Sequence, residues 1–184
     1  MRIKVYVKRF KDEEGKPLVN LPQFIDKGEW VDLRCARVTR LKAPQSGVLK
    51  SRKSGGDVER YRNVTFDYCM IPLGIAMKLP EGYEAHVLPR SSTFKGMGII
   101  LANSQGVIDS SYSGDNDEWK YPAIALRDTT VNLNERICQF RITLSQKASF
   151  WNKLKWLLSS GVELVEVDQL SSNNRGGFGS TGKE

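Results

Sequence analysis

Leu73-Gly74-Ile75-Ala76-Met77-Lys78-Leu79-Pro80-Glu81-Gly82-Tyr83-Glu84-Ala85-His86-Val87 decides the fold class of this 184-residue chain. Apolar residues fall at every second position, first Leu73, Ile75, Met77 and Leu79, then Tyr83, Ala85 and Val87, with Pro80 and Gly82 between the runs. A period of two sends alternate side chains to opposite faces of a strand, and the Pro and Gly divide the stretch into two strands. The same alternation recurs at Ile3-Val5-Val7 and Val31-Leu33-Cys35. Gly98 to Ala102, Ala123 to Arg127, Arg136 to Ile142 and Val162 to Val167 add further strand candidates. Many short strands separated by turn residues predict an all-β sandwich or jelly roll. No internal repeat is present.

With 40% hydrophobic and 27% charged residues, the chain suits one globular domain that buries a core rather than two. Its first residues, Met1-Arg2-Ile3-Lys4-Val5-Tyr6-Val7, lack the continuous apolar segment of a secretory signal or a membrane span, so a soluble, cytoplasmic chain without a membrane partner is expected. Cys35, Cys69 and Cys138 are odd in number and far apart, which argues against a disulfide framework or a zinc cluster and for buried, reduced thiols. The net charge of +7 favours polyanionic partners: a nucleic acid, an acidic lipid surface or a small phosphate ligand. Much of the excess lies between Arg37 and Arg62, around Gly55-Gly56. No stacking aromatic is interleaved there before Tyr61, so a solvated, mobile loop is expected rather than a direct nucleic-acid surface.

One segment departs from the β pattern. Phe150, Trp151, Leu154, Leu157 and Leu158 form the stripe of an amphipathic helix, stopped by Ser159-Ser160-Gly161. That stripe is expected to pack on its own domain or on a neighbouring subunit; the alternative is a docking surface for another, unidentified protein or a membrane. Residues 1–170 thus read as one β domain, and the polar, Gly-rich 171–184 as a mobile arm.

Four runs carry chemistry, and phosphate is their common theme. Pro89-Arg90-Ser91-Ser92 offers a guanidinium fork and two hydroxyls at a stiffened strand end, suited to phosphate oxygens or simply to a structural turn. The hairpin-like run Asn103 to Gly114 holds Asp109, a general base for a bound water or else a turn cap, and Tyr112, whose ring suits the apolar face of a sugar. Glu135-Arg136-Ile137-Cys138-Gln139-Phe140 alternates, placing Arg136, Cys138 and Phe140 on one face and Gln139 on the other as a ligand donor or an exposed strand residue. Asn173 to Gly182 is Gly-rich with Arg175, Phe178, Ser180 and Thr181 embedded; its backbone N–H groups suit a phosphate cradle, and the bland alternative is a flexible end.

Taken in order, these runs resemble the motifs of the trimeric all-β dUTPase (dUTP diphosphatase) family, above all its compact bacterial and phage branch. Trp30-Val31-Asp32-Leu33 resembles the first motif, Pro89 to Ser92 the second, Gly106 to Gly114 the third, Glu135 to Gln139 the fourth and Arg175 to Gly182 the fifth. The resemblance implies a jelly-roll-like dUTPase fold with one short inserted helix and a flexible Gly-rich C-terminal arm. It implies hydrolysis of dUTP to dUMP and pyrophosphate, which limits uracil in DNA and supplies dUMP for dTTP synthesis. Asp109 would activate the water that attacks the α-phosphate and hold the deoxyribose 3'-hydroxyl. Tyr112 would pack under the sugar and exclude a 2'-hydroxyl, while Asn103 and the backbone from Gly106 to Ile108 would read the uracil edge. Arg90, Ser91, Ser92 and Gln139 would contact the phosphates. Asp32 would bind Mg²⁺, the implied cofactor, through water. Arg175, Gly179, Ser180 and Thr181 would close over the γ-phosphate, with Phe178 stacked on the base. The family forms homotrimers whose sites are shared between subunits.

The chain also departs from the pattern. Glu29-Trp30-Val31 replaces the usual Ala-Gly before Asp32, Ser111 stands where an Asp often precedes the Tyr, and Arg175 directly precedes Gly176. Residues 39–62 and 148–161 resemble insertions. A dCTP deaminase, or a bifunctional deaminase and dUTPase, is the nearest enzymatic alternative, since it shares the Arg-Ser-Ser run. A regulatory protein-binding module that uses the inserted segments is the alternative from another class.

Overall fold

The computed structural model describes residues 1–25, 28–54 and 57–177, and for 47–62 it describes the backbone alone. The first half of the chain runs β1 (Ile3–Arg9), β2 (Val31–Arg34), β3 (Thr39–Leu41), β4 (Gln45–Ser54), β5 (Asp57–Thr65), β6 (Tyr68–Pro72), β7 (Ile75–Lys78) and β8 (Tyr83–Pro89). The second half runs α1 (Thr93–Met97), β9 (Ile99–Leu101), β10 (Gly106–Asp109), β11 (Lys120–Ala125), β12 (Thr129–Val131), β13 (Arg136–Leu144), α2 (Phe150–Leu157) and β14 (Val162–Glu166).

Burial follows the period of two. In β1 the side chains of Ile3, Val5 and Val7 are buried while Lys4 and Tyr6 face outward, and in β8 Tyr83, Ala85 and Val87 point inward. The strands pair as β14-β1-β7, β10-β8-β13-β2, β6-β11-β9, β12-β3 and β4-β5, with β14 parallel to β1. The inward faces of β1, β2, β7, β8, β11 and β13 meet in one core, where Leu33, Met77, Tyr83, Tyr121 and Phe140 pack with Trp119. Each such side chain contributes about 1.5–3 kcal/mol relative to its exposed state, and Trp119 meets Phe140 edge-on at 5.4 Å between ring centroids. The result is the expected jelly-roll-like all-β fold.

Five local features differ from the sequence expectations. A second helix, α1, follows Arg90-Ser91-Ser92; at five residues it is too short to show a helical period, and Gly98 ends it at φ 67°. The basic 39–62 stretch is not a loop but β3 followed by a two-stranded ribbon in which Ser54 pairs with Asp57 and Arg52 with Glu59. Its backbone ladder needs no apolar face, so alternation did not reveal it. The Gly106 to Asp109 run does not form its own hairpin but pairs antiparallel with β8. Cys35 and Cys138 are buried thiols as expected, whereas Cys69 is only partly covered.

The fifth difference is the face of α2. Ser149 caps it in a capping box with Asn152. Asn152 Nδ2 then donates to the Glu81 carbonyl at 3.1 Å, and the Trp156 ring lies 5.8 Å from Tyr83. These two residues dock the helix, so most of the predicted stripe turns outward: Phe150 is 71% exposed and Leu157 78%. Counting apolar positions selected the densest stripe, but the polar anchor at Asn152 decides the rotation. Among the described residues, no helix is long and apolar enough to cross a membrane.

Candidate active site

Three neighbouring strands assemble the first group of site residues. Gln139 on β13 sits opposite Asp32 on β2 and Leu88 on β8. The register shifts between Arg136 and Cys138, so Arg136 does not share a face with Cys138 and Phe140 as strict alternation predicts. Cys138 and Phe140 are fully buried and Arg136 is exposed, as a bulge permits. Freed in this way, Arg136 Nη1 reaches Asp32 Oδ2 at 3.0 Å, and Arg90 Nε reaches Asp32 Oδ1 at 2.7 Å. Arg34, two residues on from Asp32 along β2, completes the cluster; burial first, then the Arg136 charge, lowers its pKa against the opposing pull of Asp32. Three guanidinia around one carboxylate leave a surplus of positive charge that suits an oxyanion chain.

The turn after β8 is fixed from below. Thr93, 1% exposed, accepts a hydrogen bond from the Arg90 N–H at 3.0 Å and donates one to the Ile137 carbonyl at 2.8 Å. Ser91 and Ser92 are exposed, and the Ser92 hydroxyl does not cap α1. Gln139 Nε2 donates to the Pro89 carbonyl at 3.3 Å. Asp32, Arg34 and Arg136 line a cleft of about 390 Å³ together with Trp30 and Arg9.

The second group surrounds a pocket of about 270 Å³, lined by Asn103, Gly106, Ile108, Asp109, Tyr112 and Arg175, with Val87, Leu101 and Trp119 as its apolar wall. β10 forms the rim because it pairs with β8, setting Gly106 opposite Val87 and Asp109 opposite Glu84. Asn103 sits in the tight turn after β9, where Ser104 takes φ 61° and its N–H donates to Leu101. The Tyr112 hydroxyl donates to the Glu118 carbonyl at 3.0 Å, and burial, then Asp117 and Glu118, push its pKa up to about 12. Tyr112 therefore presents a fixed, neutral ring to the pocket. Asp109 is 58% exposed at its side chain, open to water and to ligand. Arg175 Nη1 donates to Asp109 Oδ2 at 2.9 Å and to the Ser111 hydroxyl at 2.7 Å. Phe178, Gly179, Ser180 and Thr181 lie outside the described residues.

The two cavities share no lining residue: Asp32 lines the arginine cleft, while Asn103, Gly106, Ile108, Asp109, Tyr112 and Arg175 line the other pocket. Arg90 joins the cleft through its ion pair with Asp32, Gln139 sits opposite Asp32, and Arg90, Ser91, Ser92 and Gln139 line neither cavity. Arg34, Thr93 and Asp117 were not singled out from sequence, and Arg136 and Ser111 were read there as a strand residue and a departure from the motif rather than as site residues. Arg34 was detectable in principle, since it shares the face of Asp32 two residues away; Thr93 and Asp117 act through backbone groups and leave no motif.

Mg²⁺ keeps most of its water shell and needs few protein ligands. Both Asp32 oxygens accept from arginines, and each retains a lone pair for a metal-bound water. Among the described residues, no group of three or more His, Cys, Asp or Glu is placed to hold an ion directly. The donor set fits an ion that arrives with a polyphosphate and touches Asp32 through water.

An apolar slot with polar groups at its mouth, a rim carboxylate and a guanidinium-rich cleft on an all-β scaffold suit a ligand with an apolar ring and an anionic chain. A family model described as dUTPase matches residues 52–182. The chain is 44% identical over 158 residues to an SPbeta prophage-derived deoxyuridine 5'-triphosphate nucleotidohydrolase of Bacillus subtilis, covering 86% of this chain and 87% of that one. It is 40% identical over 121 residues to the deoxyuridine 5'-triphosphate nucleotidohydrolase of Hydrogenobaculum, covering 64% and 72%. The dUTPase of Streptococcus mutans shares the fold, with a TM-score of 0.57 at 18% identity over 78% of this chain and 98% of that one. The dUTPase of Staphylococcus bacteriophage 80alpha superposes with a TM-score of 0.54 at 14% identity, covering 79% and 93%. The chain belongs to the dUTPase family, and it is an enzyme of that class, a nucleotide pyrophosphohydrolase.

Proposed function

We propose that the protein hydrolyses dUTP to dUMP and pyrophosphate, with Asp109 as the general base. Asp109 takes a proton from a water whose oxygen bonds to the α-phosphorus; the bond from that phosphorus to the bridging oxygen breaks, and pyrophosphate leaves. The observation that carries this reading is Asp109 at the rim of a pocket that also holds Asn103, Gly106 and Tyr112. Asn103 and the β10 backbone suit the polar edge of uracil, whose wrong-base competitors would leave those groups unpaired. The Tyr112 ring suits the deoxyribose face, and packed under the sugar it would exclude a 2'-hydroxyl. Arg90, Ser91, Ser92 and Gln139 hold the phosphates beside Arg34 and Arg136. Mg²⁺, held through water by Asp32, neutralises phosphate charge when bound. By removing dUTP and releasing dUMP, the reaction limits uracil in DNA and feeds dTTP synthesis.

That the Asp109 pocket and the arginine cleft share no lining residue supports a working site made from two copies, one giving the pocket and the other the cleft, as in a homotrimer with shared sites. A chain kept monomeric is then inactive.

General-base assistance is worth roughly 10²- to 10⁴-fold in rate. Asp109→Asn is expected to cut dUTP turnover by that order while dUTP still binds. Near-normal turnover would exclude Asp109 as the base.

A further inference from the structure

We propose that the outward face of α2 is a docking surface for an anionic lipid membrane, on which the protein lies without crossing it. The reading stands apart from dUTP hydrolysis and concerns a helix that the candidate active site does not use. The first residues' lack of a long apolar segment bears on spanning alone. A helix that lies in the headgroup plane needs only one apolar face with cationic flanks.

At about 3.6 residues per turn, Phe150, Trp151, Leu154, Leu157 and Leu158 fall in one stripe of α2 and its C-cap, with Lys153 and Lys155 on the two edges of that stripe. Phe150, Trp151, Leu157 and Leu158 are 68–78% exposed, and the Phe150 and Trp151 rings meet edge-on at 5.6 Å. Exposed apolar side chains that stand singly need no explanation, but a group of them on one helix face marks a binding surface. Lys147 is exposed before the helix. At the far end Met1 and Arg2 are exposed as well, where the Ser160 N–H donates to the Met1 carbonyl at 3.1 Å. No Asp or Glu falls between Lys147 and Gly161.

The face is held ready rather than formed on binding. Besides the Ser149 cap and the bond from Asn152 Nδ2 to the Glu81 carbonyl, the Tyr83 hydroxyl donates to the Asn152 carbonyl at 3.4 Å. Gly82, at φ 85°, lets the turn come that close, because a Cβ there would run into the Asn152 side chain. With the Asn152 and Trp156 side fixed against the domain, the stripe faces away from it. No α2 residue lines the Asp109 pocket or the arginine cleft. Along β8 the helix docks before Tyr83, whereas Arg90 follows the other end of the strand.

Charge and shape choose the occupant. Lysines on both edges of the stripe, in a chain of net charge +7, complement an anionic surface. The stripe is the convex outer side of one short helix. A folded protein would need a groove shaped to it, whereas a bilayer interface yields to it. There Trp and Phe rings settle at headgroup level, and lysine stems reach back to bring their ammonium groups to lipid phosphates.

The test is sedimentation of the full chain with vesicles of phosphatidylglycerol and phosphatidylcholine in equal parts, and with vesicles of phosphatidylcholine alone. The protein is expected to sediment with the anionic vesicles at low salt and to be released at high salt. Lys153→Gln and Lys155→Gln should each lower the partition coefficient about fivefold, and Trp151→Ser and Leu157→Ser about tenfold or more. The replaced side chains stand in solvent, so each variant keeps its thermal transition. No sedimentation with the anionic vesicles overturns the proposal, as does equal sedimentation with the neutral ones. Binding that survives both Trp151→Ser and Leu157→Ser is adsorption by net charge alone and removes α2 from it. Binding to polyglutamate as tight as to the vesicles makes the occupant an acidic polypeptide and equally overturns it. A fall in oligomeric mass for Leu157→Ser by light scattering, with no vesicle binding, makes the stripe a contact between copies of the chain and sinks the membrane reading.

Discussion

Arg175 Nη1 lies 2.9 Å from Asp109 Oδ2, an ion pair between the arm and the rim of the pocket. The family resemblance places Arg175 over the γ-phosphate, whereas here it holds the proposed base and Ser111 together. Holding a base in the geometry that the attacking water needs adds to the rate beyond the base itself. Arg175→Ala is expected to lower kcat by about tenfold to a hundredfold. Arg175→Lys keeps the charge but not the planar fork and recovers only part of the rate. Steady-state pyrophosphate release measures both, and a fully active Arg175→Ala would remove the pair from the mechanism.

Asp32 is shared by Arg90 and Arg136, so its removal unmasks the guanidinium cluster. Asp32→Ala is expected to bind pyrophosphate several-fold more tightly in EDTA, on the order of threefold to tenfold, yet to turn over dUTP more slowly with Mg²⁺. Titration calorimetry with pyrophosphate checks the first half. Weaker pyrophosphate binding would mean that the cluster is not a phosphate subsite.

Thr93 ties the Arg90 turn to β13 with a buried hydroxyl. Thr93→Val keeps the shape and leaves the Arg90 N–H and the Ile137 carbonyl without that partner, at a cost of about 1–3 kcal/mol. Urea unfolding reads the loss, and Thr93→Ser should restore most of it. Equal stability of the Val variant would show that the hydroxyl bridge contributes nothing.

Tyr112 carries a pH signature. Its phenol pKa rises from 10.0 to about 12, with burial the main cause. A raised acid stays protonated longer in the folded state, so its contribution is complete below pH 10 and is lost as pH climbs through about 12. The stability of the chain should fall less steeply over that window in Tyr112→Phe. Identical alkaline profiles would show that Tyr112 does not titrate there.

The β class was legible because Leu73 to Val87 alternates strictly and buries the side chains it should. That Asp109, Tyr112 and Asn103 would lie together was legible as well, since one hairpin-like run carries all three, and they line one pocket. What escaped notice acts through the backbone or through three-dimensional pairing. Thr93 reaches the Ile137 carbonyl and Asp117 the N–H groups of Arg175 and Gly176, far away in sequence, and no periodicity records that. Arg136 joins Asp32 only because β13 carries a bulge that alternation cannot announce. The ribbon of β4 and β5 is recorded in backbone pairing rather than in an alternating apolar pattern, although a Gly-Gly pair between two runs was a hairpin signal. Within its own chain α2 docks through Asn152 and Trp156 rather than through the predicted stripe, because Asn152, a polar residue, sets its rotation.

The central claim is dUTP hydrolysis at the Asp109 pocket, and product analysis tests it most directly. The purified protein is incubated with Mg²⁺ and, separately, with dUTP, dCTP, dTTP and UTP, and the products are resolved. dUMP and pyrophosphate from dUTP alone are predicted. Deamination of dCTP, or equal hydrolysis of UTP, would contradict the assignment of Asn103 and Tyr112 to the uracil edge and the deoxyribose.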